Sequence, residues 1–124
     1  MRVFVTRWVA RYTRRERITH TSLCEAVARA ENGLIDADLG GGLIKQRVAR
    51  PGKGRSGGYR TVLAYRPTDR AVFLLAFAKN ERDNITADEL KTAREIASRL
   101  LAMSTAELQR AKQEGEIEEV PYEP

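Results

Sequence analysis

The sequence predicts an α+β domain that spans residues 1–124. Three observations predict this class: a β-rich N-terminus that passes into helical periodicity, a middle third of apolar stretches broken by short turns, and two capping boxes in the last third. A chain of this length buries roughly two-thirds of its unfolded surface, so it needs neither disulfides nor metal to hold a core. We expect an N-terminal strand and two helices, then an antiparallel meander, then one or two C-terminal helices.

The first third predicts one strand and two helices. Residues 2–6 are rich in β-branched and aromatic side chains, and the apolar residues that follow recur at helical spacing. Ser22 and Glu25 have the spacing of a capping box, so we expect the second helix to begin there. The pair Asn32 and Gly33 predicts its end.

The middle third predicts a three-stranded antiparallel meander. Residues 43–49 alternate, which places Lys45 and Arg47 on the sheet face opposite the core. Residues 59–65 are β-rich, and a proline-containing turn follows them. Residues 71–78 are almost entirely apolar, as is typical of a central strand buried on both faces.

The last third predicts two helices and an edge strand. Two pairs with capping-box spacing open the helices, Thr86 with Glu89 and Ser104 with Glu107. Gly115 predicts the end of the second of these helices, and residues 116–120 predict a final edge strand.

The charged residues are distributed unevenly. The net charge is +5, but residues 41–60 carry six Lys/Arg and no acid, whereas residues 101–124 carry two Lys/Arg and six acids. The glycine-rich run 51–58 lies among these cations and contains two of them, Lys53 and Arg55. Glycines let a backbone approach a bulky polyanion, while Lys and Arg supply charge and forked donors. This combination predicts RNA or DNA binding, and a solvated basic hairpin loop is the alternative.

The composition also predicts the compartment. Cys24 is the only cysteine, so no internal disulfide can form, and no basic-then-apolar leader segment begins the sequence. The longest apolar run, residues 71–78, is far too short to cross a bilayer. We therefore expect a cytoplasmic protein that has no membrane partner.

Three segments, in this order, resemble the RelE/HigB-type toxins of bacterial type II toxin-antitoxin systems. They are ADLGGGLIKQR at 37–47, GRSGGYRT at 54–61 and FLLAFAKNERDNI at 73–85. The resemblance spans nearly the whole chain and implies a RelE-like small domain of the HigB-like branch. It also implies a toxin that enters the ribosome and cuts messenger RNA. Its partner would be a cognate antitoxin, expected to be a helix-turn-helix protein, that silences it.

Cleavage of RNA without metal uses the 2′-hydroxyl to attack the adjacent phosphate, and it needs a base, an acid and cations around the phosphorane. His20 is the only histidine, so it cannot supply both proton-transfer groups, and we expect it to be a capping or surface residue. One His and one Cys do not make a metal site. Asn80, Glu81, Asp83 and Asn84 carry oxygens that suit Mg²⁺, but we expect them to shape a turn. No metal or other cofactor is predicted.

Lysines and arginines remain for the chemistry, as in the RelE-like nucleases. The predicted catalytic residues are Lys53, Arg55, Arg60 and Lys79. Lys79 leaves the end of a buried strand, and a lysine crowded by other cations exchanges protons more readily because its charged form is disfavoured. Arg60 would stabilise the phosphorane oxygens with its fork. Lys53 and Arg55 would hold the substrate phosphate from the loop.

Four further residues are predicted to bind RNA: Lys45, Arg47, Arg50 and Tyr59. Tyr59 would stack on a base, or else pack across the strands as a core or surface aromatic. The sequence departs from the wider RelE pattern in the last strand, where many members place a further Arg or Tyr. Here residues 116–120 are acidic and Tyr122 is the only nearby aromatic, so the general base and the general acid stay unassigned.

Two other functions fit the same residues. ParE-like toxins of the same superfamily poison DNA gyrase by contact and need no nuclease site, and a plain nucleic-acid-binding domain would need only the basic surface. Convergence of the cations at one point distinguishes a nuclease. Arg60 and Lys79 lie at the ends of adjacent antiparallel strands, where convergence is expected.

Overall fold

The structure, a computed structural model, describes residues 1–50 and 54–123, and of residues 54–56 the backbone alone. Its helices and strands are, in chain order, β1 (Arg2–Thr6), α1 (Arg7–Glu16), α2 (His20–Glu31), β2 (Ala37–Gly40), β3 (Leu43–Arg50), β4 (Gly54–Arg66), β5 (Arg70–Ala78), α3 (Ala87–Ala102), α4 (Thr105–Gln113) and β6 (Ile117–Val120). The predicted α+β class is confirmed. None of the helices in the described ranges is long and apolar enough to span a membrane.

The strands form one mixed sheet in the order β2-β3-β4-β5-β1-β6. β3, β4 and β5 are the predicted antiparallel meander. β1 pairs in parallel with β5, and β6 pairs antiparallel with β1 at one edge, where an edge strand was expected. β2 forms the other edge and is absent from the prediction, because its sequence, ADLG, has little β-propensity of its own.

Side-chain caps begin the helices. Thr86 and Ser104 form the predicted capping boxes of α3 and α4. The predicted start of α2 is wrong, because Thr19 rather than Ser22 is the cap: the Thr19 hydroxyl accepts a hydrogen bond from the Ser22 N–H. α2 therefore begins one turn earlier and ends at Asn32, as predicted.

Helices cover both faces of the sheet. α1 and α2 pack on one face around Phe73 of β5, and α3 and α4 pack on the other around Phe4 of β1. Lys45 and Arg47 do lie on the face opposite Ile44 and Val48, as the alternation predicted, but that face carries a second core beneath α3 and α4, so it is not an open face. Leu43, on the same face of β3, is fully buried beneath α3, whereas Lys45 is half-buried and Arg47 is exposed. The helix covers one end of this face and leaves the other end open.

Candidate functional site

A cationic cleft lies at the open end of the α3 side of the sheet. Its volume is about 330 Å³, and its charged lining, which defines it, comprises Lys45, Arg47, Arg60, Asp36 and Asp83. The β3–β4 register places Arg47 directly opposite Arg60. Like charges in directly opposite positions destabilise a sheet. An anion bound between the two guanidinium groups would remove this repulsion.

Asp36 holds Arg47 in place. One carboxylate oxygen accepts the Arg47 backbone N–H at 2.7 Å, and the other lies 3.5 Å from the Arg47 guanidinium. Arg29 of α2 donates to the same carboxylate and also to the Arg47 carbonyl oxygen. Burial by itself raises the pKa of Asp36, but the Arg47 N–H and the Arg29 guanidinium outweigh it and lower the pKa below its usual value. Asp36 is therefore an anionic anchor for Arg47.

Arg60 is a free cation. Its guanidinium makes no hydrogen bond or ion pair with any side chain or carbonyl among the described residues. Its backbone lies between Arg47 of β3 and Phe77 of β5 in the sheet. The five donors of this guanidinium therefore remain available to a ligand. Its forked geometry can donate to two phosphate oxygens at once.

The turn between β5 and α3 closes one side of the cleft. Lys45 Nζ donates a hydrogen bond to the Asn84 side-chain oxygen at 3.1 Å. The same oxygen accepts a hydrogen bond from the Ile85 N–H. Arg82 lies over the Phe77 ring, 4.5 Å from its centroid, and makes a two-pronged ion pair with Glu89 at 2.7 and 3.0 Å.

This ion pair fastens the turn to the start of α3. The Arg82 guanidinium and the Thr86 N–H lower the pKa of Glu89 to about 2, so this carboxylate is charged at neutral pH. The turn is thereby fixed beside the cleft.

Lys79 lies near Arg60 without contacting it. It is the first residue after β5, is exposed, and its backbone N–H donates to the Gly58 carbonyl at 3.3 Å. Phe77 is directly opposite Arg60, so Lys79, two residues later, is the diagonal cross-strand neighbour of Arg60. Diagonal neighbours in an antiparallel pair are about 7–8 Å apart. Such a spacing suits two groups that grip one phosphate from different sides.

The other residues considered for the site lie outside the cleft or outside the described side chains. Lys53 lies outside the described residues, and of Arg55 only the backbone, in β4, is described. Arg50 lies over the Tyr59 ring at 5.8 Å, on the α1 side of the sheet and therefore away from Arg60. His20 is the first residue of α2 and is exposed, which agrees with a surface role.

The proposal that Tyr59 stacks on a base is wrong. Tyr59 is 2% exposed, its ring meets Tyr12 edge-on at 6.0 Å, and its hydroxyl donates to the Glu16 carboxylate at 3.2 Å. Both the ring and the hydroxyl are engaged inside the protein. The core role that the sequence left as the alternative is the observed one.

Two residues that line the cleft, Asp36 and Asp83, and one that holds Lys45, Asn84, were not predicted as site residues from the sequence. Asp83 and Asn84 were assigned to a turn, which they do form, and Asp36 was not singled out. The local pattern contains no signal for Asp36, because its importance comes from the pairing of β2 with β3. The run of polar residues after the buried β5 was the available signal for the other two.

These features define the class of protein: a small basic α+β domain whose meander ends in a cleft suited to a polyanion. The family model described as "RelE toxin of RelE / RelB toxin-antitoxin system" matches residues 1–120. The chain therefore belongs to the RelE toxin family, as the resemblance implied, and it is the toxin of a toxin-antitoxin pair with a cognate antitoxin as its partner. A search of curated proteins returned no match.

Proposed function

We propose that this toxin is a ribosome-dependent mRNA endonuclease of the HigB-like branch that acts in the cytoplasm and needs no metal. The observation that carries the proposal is the opposition of Arg47 and Arg60 across two strands, with Lys45 in the same cleft. A cluster of cations that includes a free guanidinium suits a phosphate whose negative charge increases during reaction.

Each cleft cation has a separate task in this proposal. Arg60 binds two non-bridging oxygens of the scissile phosphate, because its fork is unoccupied. Arg47, anchored by Asp36, and Lys45, anchored by Asn84, hold flanking phosphates in register. The anchored cations position the substrate. The free cation, Arg60, stabilises the negative charge that develops on the phosphorane oxygens.

Proton transfer is assigned to Lys79 together with Lys53 and Arg55 of the glycine-rich segment. The 2′-hydroxyl gives its proton to one of these groups and attacks phosphorus, and the 5′ oxygen leaves with a proton from another. The products are a 2′,3′-cyclic phosphate and a 5′-hydroxyl. Lys79 is the preferred member, because its backbone is hydrogen-bonded to β4 at the end that carries Arg60.

End-group analysis of ribosome-bound messenger RNA tests this function. The downstream fragment should accept a labelled phosphate from polynucleotide kinase without prior phosphatase treatment, because it carries a 5′-hydroxyl. The upstream fragment should end in a cyclic or 3′-phosphate. Arg60→Ala, which lacks the free guanidinium, should yield little product.

Two results would contradict the proposal. Fragments with 5′-phosphates would indicate a metal nuclease. Intact RNA together with inhibited DNA gyrase would indicate a ParE-like toxin. Because chelators also disassemble ribosomes, the end groups are a cleaner measure than chelation.

The antitoxin should silence the toxin at the same cleft. A helix-turn-helix antitoxin that presents acidic and apolar side chains to Lys45, Arg47 and Arg60 would neutralise the cleft and exclude RNA. The toxin need not unfold for this inhibition.

A further inference from the structure

α1 presents an unusual outer surface on the side of the sheet away from the cationic cleft. Trp8, the only tryptophan of the chain, is 50% exposed. Arg11 and Arg15 lie one and two turns further along the same side of the helix, and Arg7 and Arg14 flank them. Glu16 is the only acid in this helix. We call this surface, formed by Trp8, Arg11 and Arg15 with their two flanking arginines, the α1 face.

The Trp8 ring is held rigidly. It stacks on Tyr12 with 5.3 Å between ring centroids and 10° between planes, and Tyr12 in turn meets the buried Tyr59 edge-on. The Arg15 guanidinium covers the Tyr12 ring at 5.1 Å. Half of the indole surface nevertheless remains open to solvent. A fixed aromatic plane with an open face is a stacking platform for a base, since little side-chain entropy is lost on binding.

The cations beside Trp8 are largely unused. Arg11 forms no hydrogen bond or ion pair within the part of the chain that the structure describes, and Arg15 has only its neighbour Glu16, at 3.6 Å. Arg7 and Arg14 are tied to the C-terminal segment, through the Gly115 carbonyl at 3.0 Å and Glu118 at 3.3 Å. Arg11 is thus free to meet a phosphate beside a base stacked on Trp8, and Arg15 can meet a second phosphate if it exchanges its contacts with Glu16 and the Tyr12 ring.

A polyanion fits this face better than a protein does. An apolar protein interface needs neighbouring apolar side chains, but the other large apolar side chains exposed among the described residues, Leu34 and Ile35, follow α2. Trp8 instead lies among arginines. Proteins that bind single-stranded nucleic acid use this combination, in which an aromatic ring stacks on a base and nearby cations contact the phosphates.

We propose that the α1 face is a second RNA-binding surface, which takes a single-stranded segment with a base on Trp8 and phosphates on Arg11 and Arg15. Arg50, above Tyr59, lies on the same side of the sheet and ends the strand that carries Lys45 and Arg47 into the cleft. RNA bound on the α1 face can therefore continue past the end of β3 into the cleft. The surface binds RNA whether or not the cleft cuts it.

The emission of Trp8 tests the proposal directly. The full chain is titrated with a short single-stranded 2′-O-methyl RNA, which cannot be cleaved by 2′-hydroxyl attack. Stacking should quench the emission, and anisotropy of labelled RNA should give the affinity. Trp8→Leu should weaken binding about fivefold or more, the loss expected for one stacked base.

A charge-matched pair separates a local contact from general electrostatics. Arg11→Gln should lower the affinity and reduce the slope of log affinity against log salt by roughly 0.7 to 1, as for one lost phosphate contact. Arg110→Gln removes the same charge from the exposed surface of α4 and should change neither quantity measurably. Thermal unfolding checks that both variants fold.

Three outcomes would overturn the proposal: unchanged Trp8 emission on adding RNA, equal losses for Arg11→Gln and Arg110→Gln, or quenching by purified antitoxin but not by RNA. The last would make the α1 face a protein interface. Quenching that persists in Arg60→Ala supports the second surface, even if the cleavage assay has excluded the nuclease function.

Discussion

Replacement of Arg60 by alanine is the sharpest test of the cationic cleft. The Arg60 guanidinium has no partner among the described side chains, so its removal leaves no acid unpaired and should not unfold the protein. The same removal deletes the one cleft cation that is free to follow the developing charge. A loss of activity would therefore report on chemistry and not on folding.

The size of the effect follows from electrostatics. A phosphodiester gains about one unit of negative charge as it becomes a phosphorane, and only this gain contributes to the rate. At about 4 Å and an effective dielectric constant near 20, one cation contributes about 4 kcal/mol to that gain. Partial exposure to solvent reduces this to about 2–4 kcal/mol, a rate loss of about 30- to 1000-fold. Arg60→Lys keeps the charge but loses the fork, so it should restore only part of the rate.

The assay is cleavage of ribosome-bound message, with growth arrest on induced expression as a second measure. Arg66→Ala is the matched control, because Arg66 lies on the same strand, pairs with Asp69 at the far turn and is not part of the cleft. Its exposed ion pair contributes little to stability. If Arg60→Ala cleaves within about twofold of Arg66→Ala, the cleft is not the active site.

Three further predictions concern stability and regulation. Because the folded pKa of Glu89 is about 2 against an ordinary value of 4.5, its ion pair stabilises the protein above about pH 4.5, and this contribution is lost as the pH falls toward 2. The free energy of unfolding of Glu89→Gln, measured with urea, should therefore fall less than that of the parent across this pH range. An identical pH profile in the two proteins would contradict the assignment. Gly58→Ala should destabilise the protein by about 1–3 kcal/mol, since a β-carbon there would clash with the Val48 carbonyl, and unchanged thermal unfolding would disprove this. Added salt should slow antitoxin association more than it speeds dissociation, and a salt-independent on-rate in stopped flow would place the antitoxin away from the cleft.

Local sequence determined most of the elements. The capping boxes of α3 and α4 and the central strand β5 depend on residues a few positions apart, so their patterns were sufficient. The start of α2 was misassigned because Thr19 and Ser22 are both good caps, and local chemistry alone does not rank them. Pattern analysis fails where two local solutions compete.

The sequence also determined the charge and identified the family. The concentration of cations in residues 41–60 and the three RelE-like segments are linear features, readable without coordinates. They supplied Lys45, Arg47 and Arg60 as candidate site residues. The sequence decides which charged side chains the protein has, because folding rearranges these groups but does not add or remove them.

Only the tertiary structure decided how these groups meet. Strand register puts Arg60 opposite Arg47 and puts Tyr59, one residue earlier, into the core; a one-residue slip would exchange them. The pairing of β2 with β3 brings Asp36 to Arg47, and the packing of α1 leaves Trp8 outside among arginines. Residue types and short-range spacing are written in the chain, whereas register and helix packing result from contacts between distant segments that no local pattern contains.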